Sequence, residues 1–288
     1  MGTCALPPVI VTRAANAGKY KTGLPVVAIL IRAFLSGAFV AMGGALATVC
    51  STGIIAAEPT LRYGMAGPGF AQLVMGMVFP LGIILTVLTG VELFTGDVML
   101  APMASYVHGV AWSGIMRLWL FAYIGNFFGA VFFAYLVANG PFVSFDASGT
   151  GTATVFGVRA IEVAVMKTSY IGMMGAYSAV LRGIACNWLV TLAILLALAA
   201  DDMIGKILGI WFPIMAFVAS GYEHCIANMY YISAGIFTQG YLGGPGTLTW
   251  VTLFANNVIW VTIGNIIGGL FFMALLYWVA FRKEVMTA

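Results

Sequence analysis

An acid, an imidazole and an amide stand together in the run Val218-Ala219-Ser220-Gly221-Tyr222-Glu223-His224-Cys225-Ile226-Ala227-Asn228-Met229-Tyr230, inside one of the most apolar regions of the chain. Ionisable residues in a hydrophobic run are expensive to bury, so by default they mark a functional site. Imidazole is the side chain suited to relaying a proton near neutral pH or to holding a polar solute by hydrogen bonds. A core histidine satisfied by backbone groups is the commoner fate of an isolated imidazole, and the rest of the chain decides against it here. A second polar set, Gly90-Val91-Glu92-Leu93-Phe94-Thr95-Gly96-Asp97, interrupts an earlier apolar run in the same way. Other chemistries find no support. Cys4, Cys50, Cys186 and Cys225 form no Cys-x-x-Cys pair, and His108 and His224 are the only histidines. Neither a zinc site, a disulfide framework nor a bis-histidine haem is expected. The reading is of no cofactor, no metal and no enzyme.

The elements that must position these residues are membrane spans. Of 288 residues 62% are hydrophobic and 7% charged, against about 25% charged in soluble domains. A chain so poor in charge could not cover a globule with solvated groups, so its surroundings are a lipid bilayer. Its twelve basic residues are scattered over loops and tails and give no nucleic-acid patch. Residues 1–23 read as a basic tail, helical over 12–21. Spans are expected at about 25–50, 68–91, 118–140, 173–200, 207–222 and 248–280. The apolar pieces at 98–106 and 225–237 are too short to cross alone, since a spanning helix needs about 20 apolar residues. Spans two and five are therefore broken helices. Residues 51–67 (with Glu58, Pro59 and Arg62), 108–117, 141–158 and Gly243-Gly244-Pro245-Gly246 read as loops, 159–171 as interfacial, and Trp112, Trp119 and Trp278 as interfacial anchors.

The second half repeats the first. Ile124-Gly125-Asn126-Phe127-Phe128-Gly129-Ala130-Val131-Phe132-Phe133 and Ile263-Gly264-Asn265-Ile266-Ile267-Gly268-Gly269-Leu270-Phe271-Phe272 share I-G-N-x-x-G-x-x-F-F. Gly90-x-Glu92 followed by Asp97 aligns with Gly221-x-Glu223 followed by Asn228. Phe79-Pro80 precedes one break as Phe212-Pro213 precedes the other, and Arg32 and Arg182 hold similar places. Three spans per copy force the second copy to enter from the opposite side. The expected fold class is an all-α membrane protein, a single transmembrane domain over 1–288. Its 3+3 inverted repeats cover about 25–140 and 173–281, with helices two and five interrupted. Such repeats put the substrate path where the interrupted helices meet. The basic residues of both ends favour cytoplasmic termini.

These stretches resemble the signatures of the formate/nitrite transporter family: 90–96, the long run from Phe212 to Tyr230, and Gly183-Ile184-Ala185-Cys186-Asn187-Trp188-Leu189-Val190. The resemblance covers nearly the whole chain. It implies an aquaporin-like six-span protomer in a homopentamer of the plasma membrane, each protomer with its own pore for a small monovalent anion. By the same resemblance His224 is the central pore histidine, Thr95 the threonine that hydrogen-bonds it, and Asn187 and Asn228 amides beside the path. Phe79, Ile83, Leu93, Phe94 and Phe217 are constrictions, and Lys167 is the vestibule lysine, with Arg159 or Arg182 as substitutes. Glu223 would orient the imidazole, and Gly90, Glu92, Gly96 and Gly221 belong to the loop breaks. Formate is the favoured cargo, moving with protons. Nitrite, hydrosulfide, lactate or acetate on the same fold, or a membrane anchor subunit of a redox enzyme, are the rivals.

Overall fold

The computed structural model describes residues 4–54, 67–242 and 246–287. Glu58, Pro59 and Arg62 of the first loop and residues 243–245 of the last turn lie outside them. The chain opens with α1 (Pro7–Thr22), a helix started by proline at its first turn. Pro25 ends the link and begins α2 (Val26–Ser51), whose 26 residues reach ~39 Å, enough to cross ~30 Å of hydrocarbon. Next come α3 (Pro68–Val78) and α4 (Pro80–Thr89). Phe79 between them stays helical (φ −57°, ψ −33°), so Pro80 removes one donor from a single rod. After a break come α5 (Phe94–His108) and α6 (Trp112–Ala138).

The second half follows the same plan. A two-strand hairpin, β1 (Val143–Phe145) with β2 (Gly151–Ala153), leads into α7 (Val155–Lys167). Then come α8 (Gly172–Ala199), α9 (Met203–Ala219), a second break and α10 (Cys225–Thr238). The last rod contains α11 (Trp250–Leu253), α12 (Ile259–Ile266) and α13 (Leu276–Thr287), joined by π-helical stretches at Phe254–Val258 and Ile267–Leu275. Among the described residues five helices are long and apolar enough to cross a membrane, and α9, apolar too, is shorter. The apolar residues Val27, Ile31, Leu120, Phe128 and Ile259 face outward; on an integral membrane protein such a face meets lipid.

Several boundaries differ from the sequence reading. The third span starts at Trp112, because Gly109 (φ 68°) ends α5 in a left-handed cap and only a short link follows. Asp202 caps α9 by accepting from the Gly205 N–H at 2.8 Å, so the helix begins inside the expected loop. The last rod runs on through Arg282 and Lys283 to Thr287. Trp119 is no interfacial anchor: it is buried, and its indole N–H donates to the Asp97 carbonyl at 3.1 Å. Phe212 is exposed whereas Phe79 is buried, so those two Phe-Pro pairs are not equivalent in environment.

Packing repeats between the halves. Helix α2 lies on α6 as α8 lies on α12. Both contacts need glycine: a Cβ on Gly129 would meet the Phe34 carbonyl, and one on Gly264 the Val180 carbonyl. Helix α1 packs on α5 as α7 packs on α10. These matching contacts include α1 and α7, helices that lie before residues 25 and 173.

Candidate functional site

Both breaks turn on a glycine in the left-handed region, Gly90 (φ 71°) and Gly221 (φ 69°), a conformation that L side chains adopt at a cost. Beyond each, the chain is extended up to Leu93 and His224, the residues that precede α5 and α10. Such a break frees backbone groups that lipid cannot satisfy, and one asparagine in each half takes them up. Asn126 donates to the carbonyls of Ala33 (2.8 Å) and Glu92 (2.9 Å) and accepts from the Phe94 N–H (2.9 Å). Asn265 donates to Gly183 and Glu223 and accepts from Cys225, all at 2.9 Å. The asparagine of each I-G-N motif is therefore the clamp of its break.

His224 sits in the second clamp, 1% exposed. Its Nδ1 accepts from the Ala227 N–H at 3.1 Å, and its Nε2 lies 2.9 Å from Thr95 Oγ1. A backbone N–H only donates, so the neutral ring carries its proton on Nε2 and donates it to Thr95. The Thr95 carbonyl accepts from Asn187 Nδ2 at 3.0 Å, and the same amide donates to the Asn265 carbonyl at 2.7 Å. Asn187 therefore ties the threonine of one break to the clamp of the other, and it lines neither cavity described below.

Each break also carries a buried carboxylate met by a lysine from the last turn of α1 or α7. Glu223 accepts from Lys167 Nζ (2.9 Å), Tyr170 Oη (3.0 Å) and Asn228 Nδ2 (2.6 Å). Asn228 also donates to Asn257 Oδ1 (2.8 Å), a side chain presented by the first π-helical stretch. In the first half Glu92 meets Lys21 Nζ at 2.5 Å and Arg32 at 3.6 Å, and Asp97 meets the same lysine at 3.0 Å. Burial works against the Lys21 ammonium, but Asp97 and then Glu92 outweigh it and raise its pKa above the ordinary lysine value. Arg32 lies over Tyr20 as Arg182 lies over Tyr170, 5.6 and 5.9 Å from the ring centres.

Two cavities flank the breaks. One, about 310 Å³, has Lys167, Arg159, Arg182, Phe79, Phe217 and His224 on its walls, with Glu223 and Asn228. The Phe79 and Phe217 rings meet edge to face at 5.7 Å, and Phe217 stacks on the imidazole at 5.9 Å. The other, about 270 Å³, is lined by Lys21, Asp97, Gly90, Leu93, Gly96 and Lys206, among others. Ile83 is fully buried and lines neither. Phe94 also lines neither: its ring packs on Trp119 (6.2 Å) and Tyr123 (4.9 Å). The charges differ between the cavities. The wall of one carries Lys167, Arg159 and Arg182 with Glu223, and the wall of the other carries Lys21 and Lys206 with Asp97. Sequence reading missed Lys21, Asn257 and the clamping roles of Asn126 and Asn265; the shared I-G-N motif was the signal for the clamps.

Interrupted apolar helices, clamped at two breaks and opening to two charged cavities, define a membrane transport protein. The chain matches the family described as formate/nitrite transporter over residues 8–279, and it belongs to that family. It is 41% identical over 295 residues to a probable formate transporter of Methanothermobacter thermautotrophicus, covering 99% of this chain and all of that one. Among solved structures it resembles an ion channel of the formate/nitrite transporter family (TM-score 0.76, 29% identity, 94% of this chain and 98% of that one). It also resembles a pentameric formate channel with formate bound (TM-score 0.73, 29% identity, 90% and 98%). The family and these neighbours are channels and transporters, not enzymes.

Proposed function

We propose that this protein moves small monovalent anions, formate foremost, across the plasma membrane, through a pore in each protomer of a homopentamer. In this reading the protomer has six spans in two inverted repeats of three, α1 and α7 lie along opposite faces of the bilayer, and both termini are cytoplasmic. A bare carboxylate faces an idealised cost of tens of kcal/mol in an apolar constriction and neutralises instead. The anion gathers in the cation-rich cavity of Lys167 and takes up a proton from the water that fills it. It then passes Phe79 and Phe217 as the neutral acid and gives that proton to water on the Lys21 side, where the anion leaves. His224 holds its Nε2 proton against Thr95, which leaves the threonine O–H free to donate to the solute. Glu223 fixes Lys167 and Asn228 at the rim, and Asn187 holds Thr95 in line. The observation that carries the reading is the His224–Thr95 pair beneath a cation-lined cavity walled by two phenylalanines.

The test is formate uptake into proteoliposomes at mildly acidic pH, with wild type beside His224→Ala and with nitrite, hydrosulfide and lactate as competitors. Saturable formate flux that is lost or altered in the variant is expected. Formate flux no greater than in empty liposomes, with another anion moving, would keep the transport reading and replace its substrate.

A further inference from the structure

Lys167 is committed to Glu223 at 2.9 Å, so one negative charge already faces its ammonium. The excess positive charge of that cavity belongs to Arg159 and Arg182. Arg182 Nη1 is spent on the Gly221 carbonyl at 3.2 Å. Arg159 is different. It lies on the buried face of α7, 8% exposed, and Nη1 reaches Glu162, whose side chain is more than half exposed. Its Nε has no hydrogen-bond partner among the described residues. Tyr231, on α10, is 5% exposed, lines the same cavity, and its hydroxyl likewise has no partner among the described residues. Lys167 Nζ stands 5.8 Å from the Tyr231 ring centre and braces it. A buried polar atom left without a partner is costly, and two such atoms from residues on one cavity, one of them part of a guanidinium, describe a place kept for an acceptor. The Glu223 carboxylate does not fill it, being bonded to Lys167, Tyr170 and Asn228.

We propose that Arg159 and Tyr231 form an anion seat in the outer part of this cavity, ahead of the Phe79–Phe217 constriction, that takes a small planar monoanion with two oxygens, a monocarboxylate or nitrite. One oxygen accepts from the guanidinium and the other from the phenol O–H. The seat is distinct from the His224–Thr95 pair and sets the concentration at which the cavity fills, while the constriction behind it sets the size limit. This inference rests on the proposed transport of small anions only for its cargo, and its chemistry extends to any two-oxygen monoanion.

The experiment uses the full chain, reconstituted and purified, as wild type, Tyr231→Phe, Arg159→Lys and Glu162→Gln, with elution as an oligomer checked for each. Flux is measured from the α7 face against formate, nitrite and hydrosulfide, and binding of 13C-formate to the detergent-solubilised protein is measured by NMR line broadening. Tyr231→Phe and Arg159→Lys should each raise the half-saturating formate and nitrite concentrations about tenfold, the loss of a hydrogen bond to a charged group. Maximal flux should stay within twofold. Hydrosulfide, which has no oxygen to place in the seat, should shift less than twofold in Tyr231→Phe, and Glu162→Gln should tighten formate. Half-saturation unchanged in Tyr231→Phe, or Arg159→Lys matching wild type, would reduce the region to diffuse positive charge and overturn the seat. Should Arg159→Lys not assemble, Tyr231→Phe alone decides. Wild type that binds 13C-formate through Tyr231 without transporting it would sink the transport reading and leave the seat; transport insensitive to Tyr231 would do the reverse.

Discussion

The two I-G-N asparagines give the most demanding test of the fold's logic. Asn265→Asp keeps the size and the acceptor for the Cys225 N–H but removes both donors, so the carbonyls of Gly183 and Glu223 lose their partners. Hydrogen bonds inside membrane proteins average ~0.6 kcal/mol, which sets a floor of about 1 kcal/mol for two. If both carbonyls stay orphaned at ~1–3 kcal/mol each, the ceiling is ~6 kcal/mol. At about 2–4 °C per kcal/mol, thermal unfolding followed by tryptophan fluorescence in detergent should fall by about 2–24 °C. Asn126→Asp strips the same kind of partners, the carbonyls of Ala33 and Glu92, and should fall by a similar amount. Asn265→Asp also releases the Glu223 carbonyl just before His224, so formate flux should drop at least tenfold at temperatures where the protein is still folded. Melting within 2 °C of wild type in both variants would refute the claim that these amides hold the breaks.

The glycine turns should each lose ~1–2 kcal/mol as Gly90→Ala and Gly221→Ala, since the cost is conformational and neither position is crowded; denaturation of the pair should give similar shifts, and a neutral result at either would contradict the left-handed turn. Lys21→Met leaves Glu92 facing only Arg32 and takes away the cation that Asp97 meets, and should cost ~3–5 kcal/mol. Adding Asp97→Asn should recover at least half of that loss, and a double-mutant cycle without such recovery would show that the three do not act as a cluster. Phe217→Ala opens the edge-to-face pair with Phe79 and should let lactate through at rates comparable with formate; continued exclusion of lactate would place the size limit elsewhere.

Much of this site was legible in the chain because bilayer physics makes polar residues conspicuous. Glu92, Asp97, Glu223 and His224 interrupt apolar runs, and the structure gathers them at two breaks as the duplicated Gly-x-Glu pattern implied. The I-G-N motif was visible as a repeat, but its glycines drew the packing explanation and its asparagine none, since no local rule says that a mid-helix amide will clamp a break 34 residues away. Lys21 was hidden for a related reason. A short basic helix before the first span looks like a tail, and its pairing with Glu92 spans 71 positions. Asn257 reaches Asn228 and the Lys167 carbonyl from a π-helical stretch, and hydropathy carries no sign of the extra residue in that turn. Phe94 was legible only through the signature that contains it; what the chain did not show is that the first turn of α5 packs its ring on Trp119 and Tyr123 of α6.

The central claim, passage as a neutral acid past His224 and Thr95, is tested most directly by proton movement. Proteoliposomes loaded with a pH-sensitive dye are given an inward formate gradient at mildly acidic pH, and lumenal acidification and net current are recorded together. The account expects acidification that tracks formate influx, with no net charge moved. Formate current under an applied voltage, without acidification, would contradict it and identify a conductive anion pore.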